Sequence, residues 1–187
     1  MKRITILLSS PRPNGNSDKL AWSFIKGAKA ANHLVNIITI RDLRINGCLG
    51  CEYCYDHKGE CIQNDDMQNV YNVLSETDII VFATPIYYQS FPSQLKAVID
   101  RLYVTENKSF PIEGSALLAT YATPDKKMEE QTVIYYKTLI AYHEWRDLGV
   151  IAVSGLDEKD DIIGNQCLNE AYNLGYRIEY EFEKRYE

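Results

Sequence analysis

The fold is decided by the stretch Ile4-Thr5-Ile6-Leu7-Leu8-Ser9-Ser10-Pro11-Arg12-Pro13-Asn14-Gly15-Asn16-Ser17. Residues 4–8 are apolar or β-branched, as in a strand that is buried on both faces. The residues after them are rich in Ser, Pro, Gly and Asn, which is typical of a loop. Ser17 can then cap a helix, since Leu20, Ala21, Phe24, Ile25 and Ala28 recur at three- and four-residue steps. This strand, loop and amphipathic helix form the first unit of an α/β domain.

The same alternation continues along the chain without a repeat or a low-complexity linker. Further strands are predicted at residues 35–40, 79–83, 116–120 and 150–153. Further helices are predicted at residues 67–74, after the capping pair Asp65-Asp66, and at residues 95–102, 128–143 and 165–174. We therefore predict a single domain over residues 1–187, in which five strands form a doubly wound parallel sheet with helices on both faces.

Length and charge exclude several functional classes. The chain has 187 residues, 45% of them hydrophobic, which fits one globular domain. Its 26 acidic and 20 basic residues give a formal net charge of -6, and no basic block is present, which disfavours a nucleic acid or a membrane as partner. No stretch approaches the roughly 20 apolar residues that span a bilayer, and a secretory signal is not expected. Four of the five cysteines lie within residues 48–61, a poor disulfide framework, so we expect a cytoplasmic protein.

The loop at residues 9–17 is the first candidate site. Hydroxyl groups, an amide, the Arg12 guanidinium and the free N–H groups of a helix N-terminus come together there, and this mixture can hold a phosphate. The loop is neither a P-loop nor a Gly-x-Gly-x-x-Gly fingerprint, so a mononucleotide phosphate is the better match. The alternative interpretation is an ordinary turn between strand and helix.

The loop at residues 84–92 follows the third strand and is the second candidate. Ligands of open α/β sheets bind where the strand order reverses, which in the order 2-1-3-4-5 lies between strands 1 and 3. The two loops would then flank one site, with the aromatic loop offering backbone amides and rings to a flat heterocycle. Simple packing is the alternative for these aromatic residues. A third loop, at residues 120–123, could add polar contacts or close a dimer.

Two motifs carry a family resemblance. The motifs Ser-Pro-Arg-x-x-Gly-Asn-Ser at 10–17 and Thr-Pro-Ile-Tyr-Tyr-x-x-x-Pro-Ser-Gln-Leu-Lys-x-x-Ile-Asp-Arg at 84–101 resemble the signature stretches of flavodoxin-like NAD(P)H-dependent FMN reductases. The resemblance implies a flavodoxin-like three-layer α/β/α fold with strand order 2-1-3-4-5, bound FMN, NAD(P)H as electron donor and a homodimer or homotetramer. It places the FMN phosphate on Ser10, Arg12, Asn16 and Ser17, and the flavin ring along Thr84, Pro85, Ile86, Tyr87 and Tyr88. We add Thr120 and Tyr121 to the cofactor site. Ser9 departs from the family, which often has Gly there.

The cysteine-rich loop at residues 47–61 contains the motif Cys48-x2-Cys51-x2-Cys54-x6-Cys61. Short spacers of this kind can bring four thiolates around one metal core. The spacing resembles the cysteine motif of the iron-sulfur flavoproteins, a branch of the same superfamily that carries a 4Fe–4S cluster beside FMN. Zinc, or reduced thiols with a structural or redox role, are the alternatives. His57, inside the loop, is interpreted as solvated rather than as a ligand.

The functional hypothesis is an FMN-dependent oxidoreductase that takes hydride from NAD(P)H and passes electrons to free flavin, a quinone or an iron-sulfur cluster. No side chain is assigned to acid-base catalysis, because the cofactor would perform the chemistry. A non-enzymatic electron-transfer protein is the alternative, and a flavin-free thiol or zinc sensor is a third interpretation. Cys167 is expected to be buried, His143 to end a helix, and the acidic patch at 157–161 to be a solvated loop or the border of a neighbour's site.

Overall fold

The computed structural model describes the backbone of residues 1–183 and the side chains of residues 1–180. Within this part, five parallel strands form one sheet in the order β2-β1-β3-β4-β5. The strands are β1 (Arg3–Leu8), β2 (Leu34–Thr39), β3 (Ile79–Pro85), β4 (Gly114–Thr120) and β5 (Arg146–Val153). The predicted flavodoxin-like fold class and strand order are confirmed.

Helices cover both faces of the sheet. They are α1 (Asn16–Ala30), α2 (Tyr53–Asp56), α3 (Met67–Leu74), α4 (Ser93–Arg101), α5 (Lys127–Tyr142), α6 (Cys167–Tyr176) and α7 (Ile178–Glu183). Apolar side chains of α1 and α6 pack on one face of the sheet, and those of α3, α4 and α5 pack on the other. The result is the predicted three-layer arrangement.

The interior strands β1 and β3 explain why the sheet needs helices on both of its faces. All seven residues of β3 are buried, and all of β1 is buried except Arg3. Alternate residues face opposite cores, as Val81 packs in the α1 and α6 layer while Phe82 packs in the α3, α4 and α5 layer. A continuous apolar run is therefore the sequence signature of these strands.

The observed elements differ from the predicted ones in several places. β3 does not end before Thr84 but continues to Pro85, which pairs with Thr120 of β4. β5 begins at Arg146, four residues earlier than predicted, and α2 and α7 were not predicted. Among the described residues no helix is long and apolar enough to cross a membrane.

Candidate functional site

A cleft of about 200 Å³ lies at the edge of the sheet where the parallel strands end. The loops after β1, β3, β4 and β5 contribute its walls, because the carboxyl ends of parallel strands meet at one edge. The lining residues are Ser10, Arg12, Gly15, Asn16, Ser17, Pro85, Ile86, Tyr87, Thr120, Tyr121, Ala122, Leu156, Asp157, Glu158 and Lys159. Nine of the eleven residues predicted to contact the cofactor therefore surround one cleft.

The loop after β1 forms the end of the cleft at which α1 begins. The helix is preceded by Gly15, which has no side chain to cap it, and Lys19 N–H donates to Gly15 O at 3.0 Å. The N–H groups of the first turn have no carbonyl partner within a helix, so they are free to bind an anion. The Ser10 hydroxyl contacts both N and O of Arg12 at 3.2 Å and shapes the turn. The buried Ser9 donates its N–H and its hydroxyl to Ala83 O, so the fold accommodates this departure from Gly.

An ion pair between the buried Asp18 and the half-buried Arg41 supports this loop. Asp18 is 1% exposed, and its Oδ2 accepts hydrogen bonds from Arg41 Nη1 at 3.0 Å and from Asn14 N at 2.9 Å. Arg41 Nη1 also donates to Ser10 O at 3.1 Å. Burial raises the pKa of Asp18 although Arg41 and the Asn14 N–H act to lower it. Asp18 Oδ1 is buried without a hydrogen-bond partner among the described residues.

The loop after β3 forms a second wall through a tight turn. Tyr87 and Ser90 exchange two backbone hydrogen bonds of 3.0 Å, and Tyr88 and Gln89 between them have φ values of 48° and 62°. Such a two-residue turn needs positive φ at both positions, which is costly for residues other than glycine. The turn directs Tyr88 fully into solvent, outside the cleft. Thr84, also outside it, is buried and donates its hydroxyl to Pro85 O at 2.9 Å.

Tyr121 from the loop after β4 lines the cleft and is anchored by α5. Its hydroxyl donates to Glu129 Oε2 at 2.7 Å. Burial, together with this carboxylate, raises the pKa of Tyr121 to about 12, so the phenol stays protonated.

The loop after β5 forms a wall that the sequence analysis missed. Asn16 Nδ2 donates to Glu158 O at 2.8 Å, and Asn16 Oδ1 accepts from Ile162 N at 3.4 Å. Lys19 forms an ion pair with Asp160. The Asn16 side chain, predicted to hold phosphate, therefore bonds to this exposed loop. The position of residues 156–159 after the last strand was the signal that could have identified them.

The four cysteines of the predicted metal site line a second cavity of about 380 Å³. Cys48 and Cys51 are exposed, while Cys54 and Cys61 are half-buried. Burial raises the pKa of Cys54, and the neighbouring thiols act in the same direction. Asp100 and Tyr103, from the end of α4 and the 3-10 turn after it, complete the wall. His57 does not line this cavity; its ring stacks on Tyr53 with 3.6 Å between the centroids.

The four thiols surround one cavity. Among residues 1–180 no group of three or more His, Cys, Asp or Glu side chains is placed to hold one metal ion. A single zinc ion draws its thiolates to about 2.3 Å from one centre. In a four-iron cluster each thiolate binds its own iron, so the four sulfurs stand around a larger body. Four thiols around one cavity are the donor set that such a cluster requires.

Comparison with known proteins identifies the family. Residues 2–154 match the family described as NADPH-dependent FMN reductase. The chain belongs to this family. It therefore belongs to a class of enzymes that catalyse FMN-dependent oxidoreduction, and the family implies FMN and NAD(P)H as cofactor and donor.

Relatives identify the branch, and solved structures agree on the fold. An iron-sulfur flavoprotein of Archaeoglobus fulgidus is 30% identical over 188 aligned positions, covering 100% of this chain and 82% of the relative. One from Methanosarcina thermophila is 25% identical, covering 90% of each chain. Among solved structures, an NAD(P)H:quinone oxidoreductase from Methanothermobacter marburgensis superposes with a TM-score of 0.74 at 16% identity, covering 95% of this chain and 96% of the other. An azoreductase from Bacillus anthracis has a TM-score of 0.72 at 18% identity, covering 95% and 100%. The FMN reductase family and its iron-sulfur flavoprotein branch, as predicted, are confirmed.

Proposed function

We propose that this FMN reductase family member binds FMN in the cleft, takes hydride from NAD(P)H and passes electrons to free flavin, a quinone or an iron-sulfur cluster. The observation that best supports the proposal is that both signature loops and the first turn of α1 line a single cleft. FMN supplies the redox chemistry when it is bound, and the protein supplies binding and orientation.

The phosphate end of the site is assigned to Ser10, Arg12, Ser17 and the first turn of α1. Arg12 can donate charge-assisted hydrogen bonds, and the helix N-terminus adds N–H donors and a favourable dipole. Lys159, from the loop after β5, brings a second cation to the same cleft. These local groups would hold a dianion on a chain whose net charge is -6.

The ring end is assigned to Pro85, Ile86, Tyr87, Thr120 and Tyr121. The Ile86 N–H is already bonded to Thr120 O at 2.9 Å, which joins the two loops into one rigid wall. The hydroxyl group of protonated Tyr121 would lie next to the flavin ring, and its hydrogen bond to Glu129 holds it in place. Apolar and aromatic surface from Ile86 and Tyr87 would exclude water from one side of a flat heterocycle.

The cysteine cavity is assigned to a 4Fe–4S cluster, with Cys48, Cys51, Cys54 and Cys61 as its ligands. Support comes from the four thiols around one cavity and from the relatives named as iron-sulfur flavoproteins. We further propose a cytoplasmic homodimer or homotetramer, with a small electron acceptor or a redox protein as partner.

Replacement of Arg12 tests the phosphate assignment. Arg12→Ala should weaken FMN binding about 10- to 100-fold, because a hydrogen bond to a charged group contributes about 1.5–3 kcal/mol. Lys29→Ala, at the exposed far end of α1, is the matched control and should bind FMN as the unmodified protein does. Fluorescence titration of the apoprotein with FMN measures both. Equal affinity of the two variants would refute the phosphate assignment.

Flavin, iron and turnover assays on anaerobically purified protein test the remaining parts. FMN together with about four irons per chain would support the cluster assignment. FMN without iron would refute the cluster assignment. Steady-state oxidation of NADH or NADPH with an added acceptor supports the enzyme. Reduction by a protein donor alone would instead make the chain an electron carrier.

A further inference from the structure

Arg101 is a buried cation that the proposed flavin site does not use. It ends α4 and the second signature motif, and it is 2% exposed. Its Nη1 donates to both carboxylate oxygens of Asp65, at 2.7 and 2.6 Å. Its Nη2 lies 3.3 Å from Cys61 Sγ. Removing a guanidinium from water is costly, and Asp65 compensates only one of its two outer nitrogens.

The same guanidinium holds both ends of the cysteine loop. Nη1 is 3.4 Å from Asn46 O, just before the loop, and Nη2 is 3.5 Å from Gln63 O, just after it. Asp65 strengthens this closure, because its Oδ2 accepts from Asn46 N at 2.9 Å. The two ends of the segment that carries the four thiols are thus joined through one side chain.

We propose that Arg101 is the positioning residue of the cysteine cavity: it closes the loop and supplies an N–H donor and a positive charge to the Cys61 sulfur. The inference rests on the proposed cluster. A buried ion pair is a weak source of stability, since apolar residues of similar volume often serve as well. The contact with sulfur gives the pair a role that apolar residues could not fill. Hydrogen bonds to ligand sulfurs stabilise the more negative, reduced state and so raise the reduction potential of a cluster.

Two variants separate the parts of this role. Arg101→Gln removes the charge, while Arg101→Lys keeps it but cannot contact Asp65 and Cys61 with a planar fork. Arg3→Gln is the control, because it removes an arginine whose ion pair with Glu76 is exposed. Bound FMN in each variant verifies that the sheet has folded, and Arg101→Lys provides the comparison where Arg101→Gln does not fold.

The first readout is amide hydrogen exchange of the apoprotein over residues 44–67. Both Arg101 variants should exchange at least tenfold faster there than the unmodified protein and Arg3→Gln. Exchange at the unmodified rate would overturn the closure of the loop by Arg101. This readout needs no cluster, so it separates the inference from the proposed function. Accelerated exchange in a protein that binds no iron would support the loop closure and refute the cluster.

The second readout is the reduction potential of the reconstituted cluster. In Arg101→Gln the ratio of reduced to oxidised cluster at a fixed solution potential should fall at least tenfold, equivalent to about 59 mV for one electron. Arg101→Lys should recover part of this loss, because it restores the charge without the fork. An unchanged reduction potential together with accelerated exchange would show that Arg101 acts only on the structure of the loop, and would overturn its proposed action on the Cys61 sulfur.

Discussion

Arg41 contributes to the proposed phosphate site without lining it. Its guanidinium joins Asp18 and Ser10 O, and the Asp18 side chain is almost fully buried while that of Arg41 is 18% exposed. Arg41→Met would leave a buried carboxylate without its cation and release the loop. We expect the free energy of unfolding to fall by about 2–3 kcal/mol, less than for a fully buried pair. Denaturant titration measures this loss.

Two further variants make the expectation specific. Arg44→Met, three residues later and exposed, should unfold near the midpoint of the unmodified protein. Adding Asp18→Asn to Arg41→Met should restore part of the stability, because the buried charge is then removed. If Arg41→Met and Arg44→Met unfold at the same denaturant concentration, the ion pair contributes nothing measurable.

His33 makes stability depend on pH in a definable direction. Its Nδ1 accepts from Lys2 N at 3.1 Å, which requires a neutral acceptor nitrogen, and burial lowers its pKa although Glu179 opposes the shift. The unfolded chain then binds more protons as the pH falls. The contribution of His33 to the free energy of unfolding should be complete above about pH 6.5, the ordinary pKa of histidine. It should be lost as the pH falls from there through the lowered pKa of the folded state.

The replacement His33→Asn tests this direction. An asparagine carbonyl can accept the same hydrogen bond without titrating, so the decline in unfolding free energy between about pH 6.5 and 5 should become shallower. Burial also lowers the pKa of His143, so part of the slope should remain. A slope in His33→Asn as steep as that of the unmodified protein would exclude His33 as a source.

At the scale of single residues, the sequence predicted which loops meet but not every side chain's partner. Residue types and strand position were enough to select Arg12 and Tyr87, which line the cleft. They could not reveal that Asn16 bonds to Glu158, 142 positions away, or that a turn with positive φ directs Tyr88 outward. Such details depend on tertiary contacts and on backbone geometry, which no local pattern encodes.

At the scale of elements, α1 and α6 pack so closely that their contact requires glycine. A Cβ added to Gly27 would lie 1.9 Å from Tyr172 O, and one added to Gly175 would lie 2.2 Å from Phe24 O. Backbone atoms cannot yield as a side chain can. Gly27→Ala should therefore force the helices apart and lower the free energy of unfolding by about 1–3 kcal/mol, despite alanine's better helix propensity.

Gly47→Ala is the matched control for this steric prediction. A Cβ at Gly47 meets no atom within 4 Å, so this substitution should be neutral or slightly stabilising. Thermal or denaturant unfolding compares the two. Equal stability of Gly27→Ala and Gly47→Ala would show that the helices can separate without loss of packing.

The elements that were predicted least well have an identifiable physical cause. β5 is an edge strand whose first residues include Arg146, Asp147 and Gly149, types that are rare in buried strands. This segment forms a strand because it pairs with β4, its one neighbour in the sheet. The four-residue α2 and six-residue α7 are too short to show a helical period. By contrast, the continuous apolar runs of β1 and β3 were sufficient to place the centre of the sheet.

At the scale of the whole molecule, the cleft gathers loops from four of the five strands. The fifth, β2, is connected through Arg41, which lies two positions after its last residue Thr39 and donates to the loop after β1. A ligand in the cleft would thus contact or be one contact away from every strand. Binding of a ligand in the cleft should therefore stabilise the whole sheet, which should unfold in one cooperative transition.

This connectivity predicts how FMN changes the melting of the protein. At an FMN concentration of 100 times Kd, binding should stabilise the folded chain by about 2.7 kcal/mol, which for a domain of this size raises Tm by roughly 5–10 °C. The apoprotein and the FMN complex should each melt in one transition if residues 1–187 form one domain. Cys48→Ser, in the other cavity, should leave the shift intact. Calorimetry showing two transitions, of which FMN moves only one, would contradict the single cooperative domain.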